Sequence, residues 1–134
     1  MTIYITLIFT TILTVLMLVL SVRVLDLRGS PVTKFLHSSP RKVDPNTLER
    51  AIRGHGNLVE YAPLFLILML LLELNGASDS QLIYSGVAFT LGRLMHGIVF
   101  SFMTSNMFMR IGGMTLTFIG FLSLIGVAIL MLLL

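Results

Sequence analysis

Cysteine and tryptophan are absent from this chain of 134 residues, and charge is scarce: 11% of positions are Asp, Glu, Lys or Arg, against about 25% in ordinary soluble domains. Without cysteine there is no disulfide framework, no thiolate metal site and no cysteine nucleophile. Scarce charge beside 56% apolar residues excludes a soluble domain of this length, which has too little interior to hide that surface. The net charge of +3 is too small for a nucleic-acid binder, and the basic residues gather largely in one loop. Proline is confined to positions 31, 40, 45 and 63, which leaves long stretches free to be helical. The length suits a single domain, 1–134.

What is present is a set of four apolar runs. Met1 to Val22 carries no charge and gives about 33 Å of helix at 1.5 Å per residue, enough to cross a bilayer core. It lacks the basic start of a signal peptide and exceeds the usual apolar core of one, so it reads as a mature span. The loop that follows, about 26–46, holds Pro31, Pro40 and Pro45 and cannot be one helix. Asp44 followed by Pro45 is a helix start, with the acid as N-cap and proline at the first helical position. The spacing predicts spans over about 3–25, 47–74, 81–104 and 111–133, joined by short turns at 75–80 and 105–110. The fold class is therefore all-α, a four-helix transmembrane bundle.

Arg23, Arg28, Lys34, Arg41, Lys42, Arg50 and Arg53 crowd the first connection, Arg110 sits at the third, and the 75–80 turn has no Lys or Arg. The positive-inside rule then makes the 26–46 loop cytoplasmic and puts both termini outside.

Polar residues at the entry to the second span break the apolar pattern. In ERAIRGHGNLVEYAP (49–63), Arg53, Asn57 and Glu60 stand at i, i+4 and i+7, on one helix face, with Arg50 within about 60° of them. His55 and Glu73 point to the other side. Arg93, His96 and Phe100 repeat a helical spacing in the third span. Topology collects Arg53, Asn57, Glu60, Arg93, His96 and Arg110 into one layer of the inner leaflet. Several arginines facing one carboxylate suit an anionic ligand that also carries an amine. A small peptide with two carboxylates, one amine and a thiol fits that inventory, and an arginine beside the thiol favours the reactive thiolate.

Plainer roles stand beside this. Arg23, Lys34, Arg41 and Lys42 are read as orienting residues that reach lipid phosphates, and His37 as a solvated loop residue. Glu73 is read as snorkelling or pairing with another helix, and Tyr61 as an interface anchor. The nine Met and nine Phe are packing or lipid-facing residues. Ala88-xxx-Gly92 and Gly97-xxx-Ser101 read as close helix contacts. Pro63 frees the Val59 carbonyl one turn from Glu60. A different class of reading is a small four-span transporter that uses Glu60; the surrounding arginines oppose a cationic substrate.

The second-span stretch resembles the signature of the MAPEG family, membrane-associated proteins in eicosanoid and glutathione metabolism. Arg53, His55, Asn57, Glu60, Tyr61 and Pro63 fill its pattern; Arg28, the GRLMH stretch at 92–96 and Arg110 extend the likeness over essentially the whole chain. The resemblance implies a homotrimer with glutathione as co-substrate, held between neighbouring subunits near the cytoplasmic face, and no metal. It implies conjugation or peroxidase chemistry on a lipophilic electrophilic substrate drawn from the lipid bilayer. By matching position, Arg28, Arg53, His55, Asn57, Glu60, Tyr61, Arg93 and His96 would line the glutathione site. Arg110 would be catalytic, stabilising the thiolate. The look is that of a bacterial inner-membrane member, without nucleic-acid partners. One departure is Phe100, where family members often have Tyr; it keeps open a non-catalytic glutathione-binding protein. His55, on the opposite face, would take part through a neighbouring subunit.

Overall fold

The computed structural model describes residues 3–36 and 42–133; His37, Pro40 and Arg41 lie outside them. Four long helices run as α1 (Tyr4–Leu27), α2 (Pro45–Leu74), α3 (Asp79–Phe102) and α4 (Met107–Leu133). Each is long and apolar enough to cross a membrane, and among the described residues there is no strand. A short 3₁₀ turn, Pro31–Leu36, follows α1. Helix α4 begins at Met107, ahead of the expected Ile111, so Arg110 lies in its first turn. The side chain of Asn106 accepts the Met109 amide there at 3.0 Å, which supplies the cap that starts the helix early.

Local signals explain the ends. Asp44 caps α2, its carboxylate accepting the Asn46 amide at 3.3 Å, with Pro45 in the first turn. At the other end Gly76 takes φ +82, a left-handed conformation that costs glycine little.

Inward residues of α1 recur as Ile5, Phe9, Leu13, Leu16, Leu20, Val24 and Leu27, all buried, a stripe at three- and four-residue intervals. Val24 and Leu27 form a second, smaller cluster with Ala51 of α2, while Ile5 to Leu20 meet Leu58, Phe65 and Met69 of α2 and Leu82 and Phe89 of α3 in one core. At its centre Phe65 stacks on Phe89 at 3.9 Å, and Phe121 stands edge-on to both at 5.4 and 5.5 Å. The opposite faces stay apolar: Leu7, Leu18, Leu64, Leu91 and Leu122 are exposed. That arrangement is stable where hydrocarbon, not water, surrounds the bundle.

Helix α3 touches all three others, and its pairing with α4 is the most extensive. Small residues let the two backbones meet. A Cβ added at Gly92 would stand 2.6 Å from the Gly113 carbonyl, and one at Gly120 would stand 2.9 Å from Phe89 Cβ. Gly113, Thr117 and Gly120 thus form the α4 side of the seam, all buried. On α3, Gly92 serves this contact, and Gly97 meets Leu20 of α1 at 3.1 Å from a built Cβ.

Three ionic side chains tie helix ends across the bundle. Glu73, on α2, accepts the amides of Ile5 and Thr6 at 2.9 and 2.8 Å. It therefore pairs with a helix rather than snorkelling, and satisfies donors that α1 leaves open at its N-terminus. At the loop-bearing end, Arg23 donates from Nε to the Ser101 carbonyl at 3.1 Å. Arg50 donates to the Met103 carbonyl at 2.8 Å and also to that of Thr104. Both cations sit at the negative end of the α3 dipole, Arg23 on a last-turn carbonyl and Arg50 on those of the C-cap Met103 and the residue after it. Arg23 also pairs with Asp26 at 3.4 Å and lies 5.3 Å from the Phe102 ring. Arg23 thus spends its Nε and one terminal nitrogen inside the protein, beside the orienting role read from its sequence position.

Candidate functional site

The polar stretch at 49–63 is the first half of α2, and it faces three ways. Asn57 turns inward and accepts a hydrogen bond from Arg93 of α3. Arg93 is fully buried, at 1% exposure, and is satisfied by dipoles. Its Nε donates to Thr117 Oγ1 at 2.9 Å, one terminal nitrogen reaches Met114 Sδ at 3.3 Å, and its guanidinium lies 5.2 Å from the Tyr61 ring centroid and 5.8 Å from that of Phe89. Thr117 in turn donates its hydroxyl hydrogen bond to the Gly113 carbonyl at 2.7 Å. Among the described residues no carboxylate pairs with Arg93. A buried cation solvated by dipoles alone leaves a net positive charge at the centre of the bundle.

Arg53 and Glu60 turn outward. Both are exposed; Arg53 pairs with Glu49 at 2.6 Å one turn away, whereas no described residue pairs with Glu60. The expectation that Arg53, Asn57 and Glu60 act as one face is corrected here. Their positions span an arc of about 60° on a helix, and that arc straddles the edge of the contact with α3, so Asn57 falls inside and its two neighbours outside.

His55 faces α1, where Nε2 meets Ser21 Oγ at 2.9 Å. α1 of the same chain thus gives His55 a hydrogen-bonding partner within the protomer. Tyr61 is half-buried and packs edge-on to the exposed Phe118 and to Phe121 at 6.5 and 6.3 Å.

His96 is buried and stacks on Phe100, 4.5 Å between centroids. Arg110 is exposed and stands 5.6 Å from the same Phe100 ring. A pocket of about 80 Å³ at this end is bordered by Arg50, Phe100, Thr104, Ser105, Asn106 and Arg110. Arg28 is exposed at the end of α1, and among the described residues no contact draws it toward Arg93 or Arg110.

Asn57, Tyr61 and Arg93 thus form one contact group and His96, Phe100 and Arg110 another, while Arg28, Arg53 and Glu60 present themselves to the outside. Sequence reasoning missed Thr117 as the acceptor for Arg93, and Arg50 as a wall of the Arg110 pocket. The Gly113–Thr117–Gly120 spacing was the available signal for the first. For the second there was none, because it depends on how the 103–106 connection folds.

Comparisons with known proteins agree with this architecture. The sequence model of the MAPEG family matches residues 6–130. Two curated relatives, each named "Inner membrane protein YecN", from Escherichia coli K12 and Escherichia coli O6:H1, are 49% identical over 49 residues. That alignment covers 37% of this chain and 37% of each relative, so the matched stretch spans about a third of the relatives' length. No solved structure matches the chain. With four apolar helices, the motif stretch on α2 and a family match over nearly its whole length, this chain belongs to the MAPEG family of membrane proteins.

Proposed function

We propose that this protein is a glutathione-dependent membrane enzyme of the transferase or peroxidase type, acting as a homotrimer with its sites between neighbouring protomers. The observation that carries the reading is Glu60. Counting back about 20 residues, the span of a bilayer core, from the end of α2 at Leu74 puts the boundary near residue 54. Glu60 then lies inside the apolar zone, exposed and without a partner among the described residues. A bare carboxylate there is costly and needs a cationic group brought to it. The α-ammonium of a peptide is such a group, and Arg53, about two turns away on the same face, offers a carboxylate clamp for it.

The fit of glutathione supports a site completed by a second copy. The pocket at Arg110 holds about 80 Å³, well under the roughly 300–1,000 Å³ of small-molecule sites. Arg28, Arg53 and Glu60 open outward, so the surface of an adjacent protomer would form the missing wall. In this reading Arg28 and Arg53 hold the two carboxylates, Glu60 takes the ammonium, and Asn57 with Arg93 keeps the α2 wall in register with α3. Tyr61 and His96 are second-line members that pack against Arg93 and Phe100.

Arg110 stabilises the thiolate by charge and hydrogen bonding once the thiol proton has left to solvent. The sulfur attacks an electrophilic carbon of a bilayer-dissolved substrate; the carbon–sulfur bond forms as the leaving group departs with its electron pair. With a hydroperoxide, the sulfur attacks oxygen and releases the alcohol, and a second glutathione completes the disulfide and water. The basic loop faces the cytoplasm of an inner membrane.

Calorimetry of glutathione binding in nanodiscs, with conjugation of an aryl halide measured in parallel, tests this. Binding with turnover is expected, and Arg110→Ala keeps binding while losing at least about tenfold in turnover. Absence of binding in the intact protein rejects the reading. Binding without turnover, unchanged by Arg110→Ala, replaces it with a non-catalytic glutathione-binding protein.

A further inference from the structure

Phe100 stands between the buried polar layer and the exposed cation at the end of the bundle. Its ring lies nearly parallel to that of His96, with 4.5 Å between centroids and 20° between planes. The Arg110 guanidinium carbon is 5.6 Å from the same ring. One face of the ring and the base of the side chain are packed against the protein. His96 is buried within α3. From α2, Gly54 approaches so closely that a Cβ there would stand 3.0 Å from Phe100 Cβ. The ring is therefore set by two helices before Arg110, on a third, meets it.

The way in which Arg110 is held matters for what it can do. Among the described residues no carboxylate pairs with it. A carboxylate partner would neutralise the guanidinium and use up its planar donors. An aromatic ring instead attracts the cation through its quadrupole and takes none of its N–H groups. Position is restricted while charge and donors stay free for an anion at the adjoining pocket, which Phe100 and Arg110 both border.

We infer that Phe100 is a positioning residue for Arg110, its ring holding the guanidinium at the site with all donors available to the thiolate. The inference rests on the glutathione reading above for its chemical consequence, and on the stack alone for its geometry. It also gives the phenylalanine a task of its own: the ring face acts where a hydroxyl would not be needed.

The test uses the full chain in nanodiscs, as wild type, Phe100→Tyr, Phe100→Leu and Phe100→Met. Arginine side chains labelled with nitrogen-15 report the stack directly. The Arg110 Nε–H resonance, identified by its loss in Arg110→Lys, is expected to carry a ring-current shift in wild type and Phe100→Tyr and to lose it in both aliphatic variants. Bound glutathione reports the consequence through its ultraviolet thiolate band. The pH midpoint of that band should rise by about one unit in Phe100→Leu and Phe100→Met and hold in Phe100→Tyr. An Arg110 resonance that stays put in the aliphatic variants, or a thiolate midpoint equal in all four proteins, overturns the inference. If wild type shows no thiolate band, the glutathione reading fails, and the resonance still decides whether Phe100 holds Arg110.

Discussion

Asn57 of α2 turns its side-chain carbonyl to the buried guanidinium of Arg93 on α3, and this bond is where the motif stretch joins the rest of the bundle. Removing the acceptor leaves a charged donor facing apolar neighbours. Asn57→Ala is expected to lower stability by about 1.5–3 kcal/mol, the range for hydrogen bonds to charged groups. Thermal unfolding in detergent checks it; an unchanged midpoint would mean Thr117 and Met114 alone suffice for Arg93.

Glu73 caps a helix to which it does not belong. Its two bonds to Ile5 and Thr6 predict that Glu73→Ala costs about 0.5–2 kcal/mol, the range for loss of a cap, and that the damage is local. Hydrogen exchange should speed up at the amides of residues 5 and 6 and leave the centre of α1 protected. Uniform acceleration along α1 would contradict a capping role.

The α3–α4 seam predicts an asymmetry between glycines. Gly92→Ala puts a methyl 2.6 Å from a backbone carbonyl, with nothing flexible to give way, and should cost about 1–3 kcal/mol as overpacking. Gly126→Ala has nothing within 4 Å of its new methyl and should be neutral or slightly stabilising through helix propensity. Paired unfolding curves decide it. Equal effects at the two positions would show that the helices are not in contact at Gly92.

On the outward face of α2, Glu60→Gln and Arg53→Ala each remove one charge-assisted contact to the proposed ligand. Each is expected to weaken glutathione binding by about 10–100-fold, the equivalent of 1.5–3 kcal/mol. The fold should be untouched, because both side chains are exposed in the protomer. Calorimetry gives the affinity and thermal unfolding gives the control. Full affinity in Glu60→Gln would remove Glu60 from the site.

Much of this was legible along the chain. Four apolar runs announce four helices because every backbone group in hydrocarbon must be bonded within its own segment. Asp44 and Pro45 mark the start of α2 through purely local chemistry. Arg93 and Asn57 stood out because a polar side chain within an apolar span has to answer to something nearby. Helical spacing also put His96 and Phe100 on one side of α3, as the stack between them bears out.

Neighbouring helices decided the rest. Periodicity gives the angle of each residue about its own axis, and no sequence pattern says where along that circle the next helix stands. That is why Asn57 turns inward while Arg53 and Glu60 stay outside, and why His55 finds Ser21 on α1. Arg23 and Arg50 were basic loop flanks by sequence; only the tertiary arrangement brings them to carbonyls at the C-terminal end of α3. The sequence by itself determined a four-span helical membrane protein with an arginine-rich polar entry, since hydropathy and spacing are properties of the chain. Which of those polar groups meet, and which are left to face outward, was decided by packing, because it depends on contacts between residues far apart in the chain.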